Sequence, residues 1–247
     1  MVLLITMKTY RSSMSIAIPA YNEEKSIDFV IKDTLKELSK YFKNYDVIVI
    51  DDGSIDKTGR IIDLLAKNNN RLKVIHQKNS GYSKAMFAGI QASTKDYVAY
   101  MPADGQFLVN DMRHCFEVLE DADLILGYRG GRKDYTTRRI FFSYGFLLLL
   151  LILFDIKYMD VGWVNIWRTK KVQKLKLSAI GGVFILTEIL VRFKKLGYKI
   201  IEAPSYYHPR VRGEAKNAKL NVAFQTFLNA IKLWWELNVW RNMPRYL

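Results

Sequence analysis

A carboxylate and an amide stand two residues apart directly after an apolar run of the sequence. Asp104 and Gln106 follow the run Tyr97–Met101 in the segment MPADGQF. In an extended segment, side chains two residues apart point to the same side. Carboxylate and amide oxygens are ligands that hard divalent cations accept in proteins. The spacing therefore predicts a site for Mg²⁺ or Mn²⁺ where a buried strand ends.

Other apolar runs of the first half also end in side chains that can bind a ligand. These residues are Pro19, Tyr21 and Glu23 in PAYNEE, Asp51 and Asp52 in DDGS, and Lys84 in NSGYSKA, where a helix is predicted to begin. Each motif has an ordinary alternative, since DDGS followed by Asp56 is also a common turn and helix cap. Their coincidence at four predicted strand ends favours one shared site.

The spacing of apolar residues predicts the elements that position this site. Strands are predicted at Ser15–Pro19, Asp46–Ile50, Leu72–Ile75, Tyr97–Met101 and Asp123–Leu126, and helical spacing runs between them, over 27–42 and 61–65. Alternating strands and helices predict an α/β protein with a mostly parallel sheet that has helices on both faces. Such sheets bind ligands beyond the carboxyl ends of their strands, where the polar motifs fall.

Composition narrows the class of protein. The chain has 247 residues, half of them hydrophobic, a net charge of +14 and a pI near 9.7. This predicts a folded domain with an anionic partner, which could be nucleic acid, acidic lipid or a phosphorylated substrate. A Walker loop and a G-x-G-x-x-G motif after a strand are both missing, so ATPase and dinucleotide-binding functions lose their main support. The single cysteine, Cys115, excludes an internal disulfide and is predicted to be buried.

Two apolar segments of the second half could contact either the core or a membrane. The run from Ile140 to Phe154 follows Arg138 and Arg139 and is shorter than the ~20 residues of a spanning helix. A tail helix carries one broad apolar face, made of Phe224, Phe227, Leu228, Ile231, Trp234, Trp235 and Trp240, with Lys232 and Arg241 near it. We predict a main domain over 1–220, including an interfacial helix at 140–155, and an amphipathic helix over 221–247.

A basic cluster precedes each apolar segment. GYRGGRKDYTTRR comes before the first, and HPRVRGEAKNAK, with Arg210, Arg212, Lys216 and Lys219, comes before the second. This arrangement fits a phosphate whose hydrocarbon tail lies in lipid. Nucleic acid is not predicted as a partner, because basic residues interleaved with exposed aromatics, or a recognition helix, are not seen.

Taken in order, these motifs resemble the family 2 inverting glycosyltransferases of GT-A fold, in the branch of dolichyl-phosphate mannose synthase. The resemblance covers most of the chain, through IPAYNEE, VIDDGSIDKT, NSGYSKAMFAGI, PADGQF, ILGYR, DVGWVNIWR and HPRVRGEAK. It implies a Rossmann-like sheet with interfacial C-terminal helices. It also implies transfer of a hexose from GDP-mannose or a UDP-sugar to polyprenyl or dolichyl phosphate. The enzyme would be peripheral, at the cytoplasmic face of a membrane, and would use Mg²⁺ or Mn²⁺.

The resemblance also implies residue roles. Donor contacts would come from Pro19, Tyr21, Glu23, Asp51, Asp52, Lys84 and Ala103, metal ligation from Asp104 and Gln106, and phosphate contacts from Arg129, Arg139, Ser143, Arg210 and Lys216. Among these, Asp104 and the three arginines are the predicted catalytic residues. Since a phosphate acceptor is already anionic, the reaction would need no strong general base.

The chain departs from the family pattern at three places. Pro102 replaces the first aspartate of the metal motif, Ala215 replaces a serine, and DVGWVNIW lacks the usual cysteine and phenylalanine. Two alternatives therefore stay open. One is a glycosyltransferase acting on a sugar hydroxyl, with Glu188 or another carboxylate as its base. The other is a membrane-surface protein that binds nucleotide sugars without turnover, as the loss of a metal ligand at Pro102 would allow.

Overall fold

The computed structural model describes residues 9–105, 107–129, 137–178, 184–206 and 220–238, without the side chains of 138, 139 and 220–223. The strands are β1 (Met14–Ala20), β2 (Tyr45–Asp51), β3 (Leu72–His76), β4 (Tyr97–Tyr100), β5 (Leu124–Arg129), β6 (Val164–Arg168) and β7 (Ile200–Ser205). The helices are α1 (Ile27–Tyr41), α2 (Thr58–Lys67), α3 (Tyr82–Ala92), α4 (Arg113–Phe116), α5 (Thr137–Phe154), α6 (Thr169–Val172), α7 (Phe184–Lys195) and α8 (Leu220–Asn238). Short 3₁₀ turns at Val109–Met112 and Leu119–Asp121 flank α4.

The strands form one sheet in the order β3-β2-β1-β4-β6-β5-β7. β1 pairs in parallel with β2 and β4, β2 with β3, and β5 with β7, whereas β6 is antiparallel to both β4 and β5. The strands other than β6 therefore end at the same edge of the sheet, which we call the carboxyl edge. The predicted α/β fold with a mostly parallel sheet is confirmed.

The order of the strands reverses between β1 and β4, since β2 and β3 lie on one side of β1 and β4 lies on the other. Helices α1 and α2 contact each other, and α3 packs against β1, β2 and β4. Because right-handed crossovers carry the chain first outward from β1 and then back to β4, α3 lies on the face opposite α1 and α2. The residues that follow β1 and β4 consequently flank the crevice in which such sheets bind ligands.

The direction of its hydrogen bonds explains why β1 can lie inside the sheet and still contain a proline. All its residues are buried. The carbonyl of Ala17 accepts a hydrogen bond from Met101, so Pro19, two residues on, also faces the β4 side. There β4 has already ended, at Tyr100. The missing N–H of Pro19 therefore breaks no bond between the strands.

The five predicted strands are all present, with β5 extended at its end to Arg129. Two strands, β6 and β7, were not predicted. Cys115 is buried, as predicted, in a segment that forms short turns of 3₁₀ and α-helix. Burial raises the pKa of the Cys115 thiol to about 12, as expected for a core cysteine.

Helices α5, α7 and α8 pack together, and their buried residues join the main hydrophobic core. Residues 184–193 of α7 are buried. The Phe146 ring of α5 lies 5.9 Å from the Phe227 ring of α8 and 6.5 Å from that of Phe184 in α7. Ala230, Leu233 and Leu237 of α8 are also buried. The tail helix is therefore packed on the main domain along this side.

The outer sides of α5 and α8 are apolar and exposed. They carry Phe141, Tyr144, Leu148, Leu151 and Ile152 on α5, and Phe224, Leu228, Ile231 and Trp235 on α8. We call these residues the apolar stripes. Phe227 and Trp234, on one margin of the face predicted for α8, are half-buried, and Trp240 lies outside the described residues. Within the described chain, the structure has no helix with the length and hydropathy needed to cross a bilayer.

Candidate active site

The loops after β1 and β2 are interlocked at the carboxyl edge. The Asn22 side chain accepts a hydrogen bond from Ile55 N–H at 2.9 Å, and Asn22 N–H donates to Ser54 Oγ at 3.1 Å. Glu23 N–H donates to Thr58 Oγ1 at 2.8 Å. These bonds join two loops into one rim. Beside it Pro19 is buried and Tyr21 is 43% exposed, so the Tyr21 ring is available to a ligand.

Asp51 and Asp52 lie at the end of β2 with different environments. Asp51 Oδ1 accepts a hydrogen bond from Ser54 N–H at 3.0 Å, and its Oδ2 lies 2.9 Å from His76 Nδ1. Asp52 accepts hydrogen bonds from Ser80 N–H and Gly81 N–H at 2.8 and 2.9 Å. Asp52 thus holds the loop that leads into α3.

A glycine is required between these two loops. Gly53 has a φ of +73°, and a Cβ there would lie 2.8 Å from the backbone nitrogen of Asn79. A side chain at this position would therefore be strained and would also push the α3 loop away. Lys84, predicted at the start of α3, is exposed in the first turn of that helix.

The segment after β4 presents one carboxylate to solvent. Ala103 is buried and Asp104 is exposed in the turn that follows the strand, while Gln106 lies outside the described residues. Within the described ranges, no three histidine, cysteine or carboxylate side chains are grouped as a metal site. Metal binding by Asp104 and Gln106 therefore stays a prediction.

Arg129, at the end of β5, is held in a fixed orientation. Its Nε lies 2.6 Å from Asp160 Oδ2 and its second guanidinium nitrogen lies 3.1 Å from Oδ1, which is a bidentate pair. The guanidinium carbon is also 4.7 Å from the centre of the Trp163 ring. Both charged side chains are at least nine-tenths buried. Such a pair fixes the direction of the fork more firmly than a surface ion pair would.

Tyr100 connects the β4 and β5 parts of the edge. Its hydroxyl is buried and donates a hydrogen bond to the carbonyl of Trp163 at 2.7 Å. Burial, followed by the negative charge of Asp160, raises the pKa of Tyr100, and Asp104 acts in the same direction. Asp104 and Asp160 therefore both act electrostatically on one buried phenol.

Several predicted site residues are not placed by these contacts. The side chain of Arg139, together with Arg210 and Lys216, lies outside the described residues. Ser143 is half-buried on α5. The structure thus brings together the predicted residues of β1, β2, β4 and β5, and the roles assigned to all these residues stay predictions.

Two residues at this edge were not predicted from the sequence. His76 comes directly after the predicted strand Leu72–Ile75, so the rule that strand ends carry function could have found it. Asp160 could not be found this way, because it precedes β6, whose direction is opposite to that of its neighbours.

Glu188 does not lie at the carboxyl edge as a free base. It is fully buried in α7, and its Oε1 accepts hydrogen bonds from Ser178 N–H at 2.6 Å and Arg192 Nε at 2.9 Å. Arg192 also pairs with Glu236 of α8 at 3.0 Å. Burial raises the pKa of Glu188, although these partners oppose the shift. The residue joins α7 to α8 and is not accessible to a substrate hydroxyl.

A mostly parallel α/β sheet with acidic and basic groups at its carboxyl edge is the arrangement of α/β proteins that bind ligands at this edge. The model of the family described as "Glycosyl transferase family 2" matches residues 15–176, which is more than half of the chain. The chain belongs to glycosyl transferase family 2, and the prediction of this family is confirmed.

Curated relatives of several kinds match the chain. Glycosyltransferase AglD of Haloferax volcanii is 26% identical over 94% of this chain, which spans 38% of that protein's length. Undecaprenyl-phosphate mannosyltransferase of Micrococcus luteus is 29% identical, over 81% of this chain and 85% of its own length. An undecaprenyl-phosphate 4-deoxy-4-formamido-L-arabinose transferase of Pectobacterium atrosepticum is 29% identical over 52% of this chain and 40% of its own.

Solved structures confirm the GT-A fold. Glucosyl-3-phosphoglycerate synthase of Mycobacterium tuberculosis, in complex with Mn²⁺, UDP-glucose and phosphoglyceric acid, matches with a TM-score of 0.69. The match covers 91% of this chain and 80% of that one at 16% identity. The same synthase with Mg²⁺ and UDP matches with a TM-score of 0.65. At this identity the likeness establishes the fold alone.

Proposed function

We propose that this protein transfers a hexose from a nucleotide-diphosphate sugar to a polyprenyl phosphate at a membrane surface, with inversion at the anomeric carbon. The observation that carries the proposal is that two features occur together in one chain. A donor-type carboxyl edge with Asp51 and Asp104 occurs together with two packed helices whose outer sides are apolar. The names of the mannosyltransferase and arabinose transferase relatives support a polyprenyl-phosphate acceptor.

The donor would lie across the crevice between β1 and β4. The Tyr21 ring and the Asp51 carboxylate, at the rim of the interlocked loops, would contact the nucleoside. Pro19 and Glu23 would shape the same rim, and Asp52 would act through the loop that it holds. Lys84, at the exposed start of α3, and Ala103, beneath Asp104, complete the proposed donor contacts.

A divalent cation fits the groups that the chain offers. Asp104, with Gln106, would hold Mg²⁺ or Mn²⁺, and the bound cation would offset the charge that develops on the departing diphosphate. The single exposed carboxylate is compatible with such binding, because Mg²⁺ is commonly held by one or two carboxylates together with substrate phosphates. Pro102 in place of an aspartate makes the donor's own oxygens a larger part of this ligand set.

Arg129 would orient a phosphate next to the reacting sugar. Its paired orientation at the end of β5 leaves the guanidinium pre-organised, so binding would cost little side-chain entropy. Arg139 and Ser143 on α5, and Arg210 and Lys216, would add phosphate contacts from the lipid side. A phosphate oxygen is already ionised, so attack on the anomeric carbon needs no proton removal.

The placement of Glu188 weighs against a hydroxyl acceptor. That alternative requires Glu188 or another carboxylate as a base near the sugar, and Glu188 is buried in an ion-pair network with Arg192 and Glu236. A phosphate acceptor makes no such demand.

The apolar stripes support a peripheral position on the membrane. Side chains such as Phe141 and Ile152 of α5 and Phe224 and Trp235 of α8 are each more than half exposed. Contiguous apolar surface of this kind marks an interaction site, and tryptophan is favoured at the headgroup boundary. The net charge of +14 adds attraction to an anionic leaflet, for which we propose the cytoplasmic face.

The test is a transfer assay that follows the label into lipid. The full chain, Mg²⁺ or Mn²⁺, and polyprenyl phosphate would be incubated with one radiolabelled nucleotide sugar at a time, and label in the organic phase counted. We expect one donor to label the lipid, Asp104→Ala to abolish labelling, and Asp121→Ala, an exposed acid at the opposite edge, to leave it unchanged. Donor binding without lipid labelling would overturn the phosphate acceptor and favour a hydroxyl acceptor or a protein without turnover.

A further inference from the structure

The imidazole of His76 lies between two carboxylates. Its Nδ1 is 2.9 Å from Asp51 Oδ2 at the end of β2, and its Nε2 is 2.9 Å from Asp63 Oδ1 on α2. An ionised carboxylate only accepts hydrogen bonds, and a neutral imidazole has a single N–H to donate. Both contacts are satisfied together when the ring carries a proton on each nitrogen. The geometry therefore corresponds to an imidazolium.

We propose that protonated His76 is a positioning residue, which clamps Asp51 for donor binding and makes donor affinity fall as the pH rises and the ring loses its second proton. This inference rests on the proposed function, since it takes Asp51 as a nucleoside contact. Ser54 N–H holds one oxygen of Asp51 and His76 holds the other. The carboxylate is thereby fixed in one rotamer, with remaining lone pairs available to an N–H of the base.

Close packing leaves this arrangement little freedom. A Cβ on Gly59 of α2 would lie 2.8 Å from Asp51 Oδ2 and 3.6 Å from His76 Cε1. The helix backbone therefore closes one side of the carboxylate–imidazole pair. While His76 stays in place, the Asp51 side chain therefore has little space in which to adopt another rotamer.

The charged groups that face the ring are both acidic. They are Asp51 from β2 and Asp63 from α2, the two elements packed against the end of β3. Hydrogen bonds to Asp63 and then to Asp51 raise the pKa of His76 above its ordinary value of about 6.5, and burial opposes the shift. The imidazolium therefore persists to higher pH than that of a free histidine and is lost as the pH rises through the raised pKa.

Loss of the proton has two effects on Asp51. The ring retains one N–H for two carboxylates, so the clamp on Asp51 is kept in only a fraction of molecules. The positive charge that offsets Asp51 also disappears. Both effects weaken donor binding, and we expect a loss of roughly 3- to 10-fold across the titration.

The experiment measures the ring and the affinity separately on the full chain. The His76 Cε1–H resonance is followed by NMR between about pH 6 and about pH 8.5. Over the same range, calorimetry with Mg²⁺ gives the affinity for UDP-glucose and GDP-mannose, whose diphosphates have no ionisation near neutral pH. We expect the affinity for the donor to fall over the same pH range in which the His76 resonance titrates.

Asp63→Asn is the matched variant, because Asp63 is half-exposed on α2 and makes no proposed donor contact. It is expected to lower the pKa of His76 and to move the affinity loss to lower pH by the same amount. His76→Gln should bind the donor more weakly and without this pH dependence. A donor affinity that stays constant while the His76 ring titrates would overturn the inference alone. Absence of donor binding at every pH would overturn the proposed function, and the inference with it.

Discussion

At the scale of single residues, the charged groups of the carboxyl edge are held by partners from other elements. Asp52 holds the loop before α3, and Arg129 is held by a carboxylate that precedes β6. Pre-organisation of this kind lowers the cost of binding a charged ligand. It also means that the partner residues, although they contact no proposed ligand, should affect catalysis.

Replacing Asp160 tests the orientation of Arg129. Asp160→Asn leaves the buried guanidinium without its counter-charge, so we expect a loss of about 3 kcal/mol in the free energy of unfolding. We also expect kcat/KM for the lipid phosphate to fall about 10- to 100-fold, because the fork is no longer directed. Urea unfolding and the lipid-labelling assay measure the two effects.

Asp155→Asn is the control for this change. Asp155 lies five residues earlier, its ion pairs with Lys157 and Lys194 are exposed, and its φ of +52° suits asparagine. We expect stability and activity to stay near those of the wild type. Equal effects of the two substitutions would show that the pair with Arg129 has no special role.

At Gly59, helix propensity and close contact predict opposite effects of a substitution by alanine. Gly59 is the second residue of α2, so propensity alone predicts that Gly59→Ala stabilises the protein, by less than the about 0.5–1 kcal/mol expected in a helix interior. The 2.8 Å approach of the added Cβ to Asp51 Oδ2 predicts the opposite, together with weaker donor binding.

Gly145→Ala in α5 is the matched substitution, because its Cβ would meet Phe227 at an ordinary 3.8 Å. Thermal unfolding and donor calorimetry of both variants decide between propensity and contact. Stabilisation of both, with unchanged donor affinity, would show that the space beside Asp51 is not needed.

Much of the candidate site was predictable residue by residue. Asp51, Asp52 and Asp104 follow strands whose apolar runs are clear, and parallel strands bring their ends together. The partners were not predictable, since the meeting of Asp160 with Arg129 depends on the direction of β6. Spacing along one segment carries no information about a contact made 31 positions away.

At the scale of elements, one side of helix α8 packs on the protein and the other side is exposed. Leu233 and Leu237 pack inward, and Ile231 and Trp235 point outward. Both interpretations made from the sequence, a helix that closes the core and a helix with an exposed apolar face, therefore apply to different residues. The structure describes this division, and contact of the outer side with lipid is the proposal.

Substitutions on the two sides of α8 should separate membrane binding from stability. The double variant Phe224→Gln, Trp235→Gln should lose about 10- to 100-fold in affinity for anionic lipid vesicles, since each exposed side chain contributes buried apolar area only in lipid. Its melting temperature should not change. Vesicle cosedimentation and thermal unfolding measure these effects.

Leu233→Ala provides the opposite pattern. Removing this fully buried side chain should cost about 2–5 kcal/mol of stability. Vesicle binding by the folded protein should be retained. If instead the double variant bound vesicles as well as the wild type, the apolar stripes would not be the membrane contact.

Strand prediction succeeded where apolar residues are continuous and failed near mixed motifs. β1, β2 and β4 are buried on both faces, and their central residues read as apolar runs. β7 contains Glu202 and Pro204, which obscure its pattern. In β6 the buried Asn165 interrupts the run, and tertiary packing rather than local propensity decides the conformation.

At the scale of the whole molecule, the two edges of the sheet use carboxylates differently. Opposite the carboxyl edge, Asp96 accepts hydrogen bonds from Ser13 N–H and Oγ at 2.8 and 2.7 Å, which joins the starts of β4 and β1. The hydrogen bonds from Ser13 lower the pKa of Asp96. This carboxylate therefore contributes to stability and not to the proposed site.

The pH dependence of stability should follow from this lowered pKa. A carboxylate with a depressed folded-state pKa stabilises the protein above its unfolded pKa of about 3.9, and the contribution is lost as the pH falls through the folded value. Because solvent screens the exposed Asp96, Asp96→Asn should lower the melting temperature by no more than about 2 °C at neutral pH. The difference from the wild type should vanish in strong acid, as calorimetry would measure. A difference independent of pH would contradict the ionic contribution.

The reversed direction of β6 has a consequence for where the chain tolerates added sequence. The segment before β6 enters the carboxyl edge with Asp160, whereas the segment after it leaves from the opposite edge, where Thr169 N–H donates to the carbonyl of Asp96. A reporter domain inserted at the exposed Lys176 would therefore stand clear of the reaction. The same domain inserted at the equally accessible Met159 would displace the partner of Arg129, so accessibility alone is a poor guide to fusion sites in this fold.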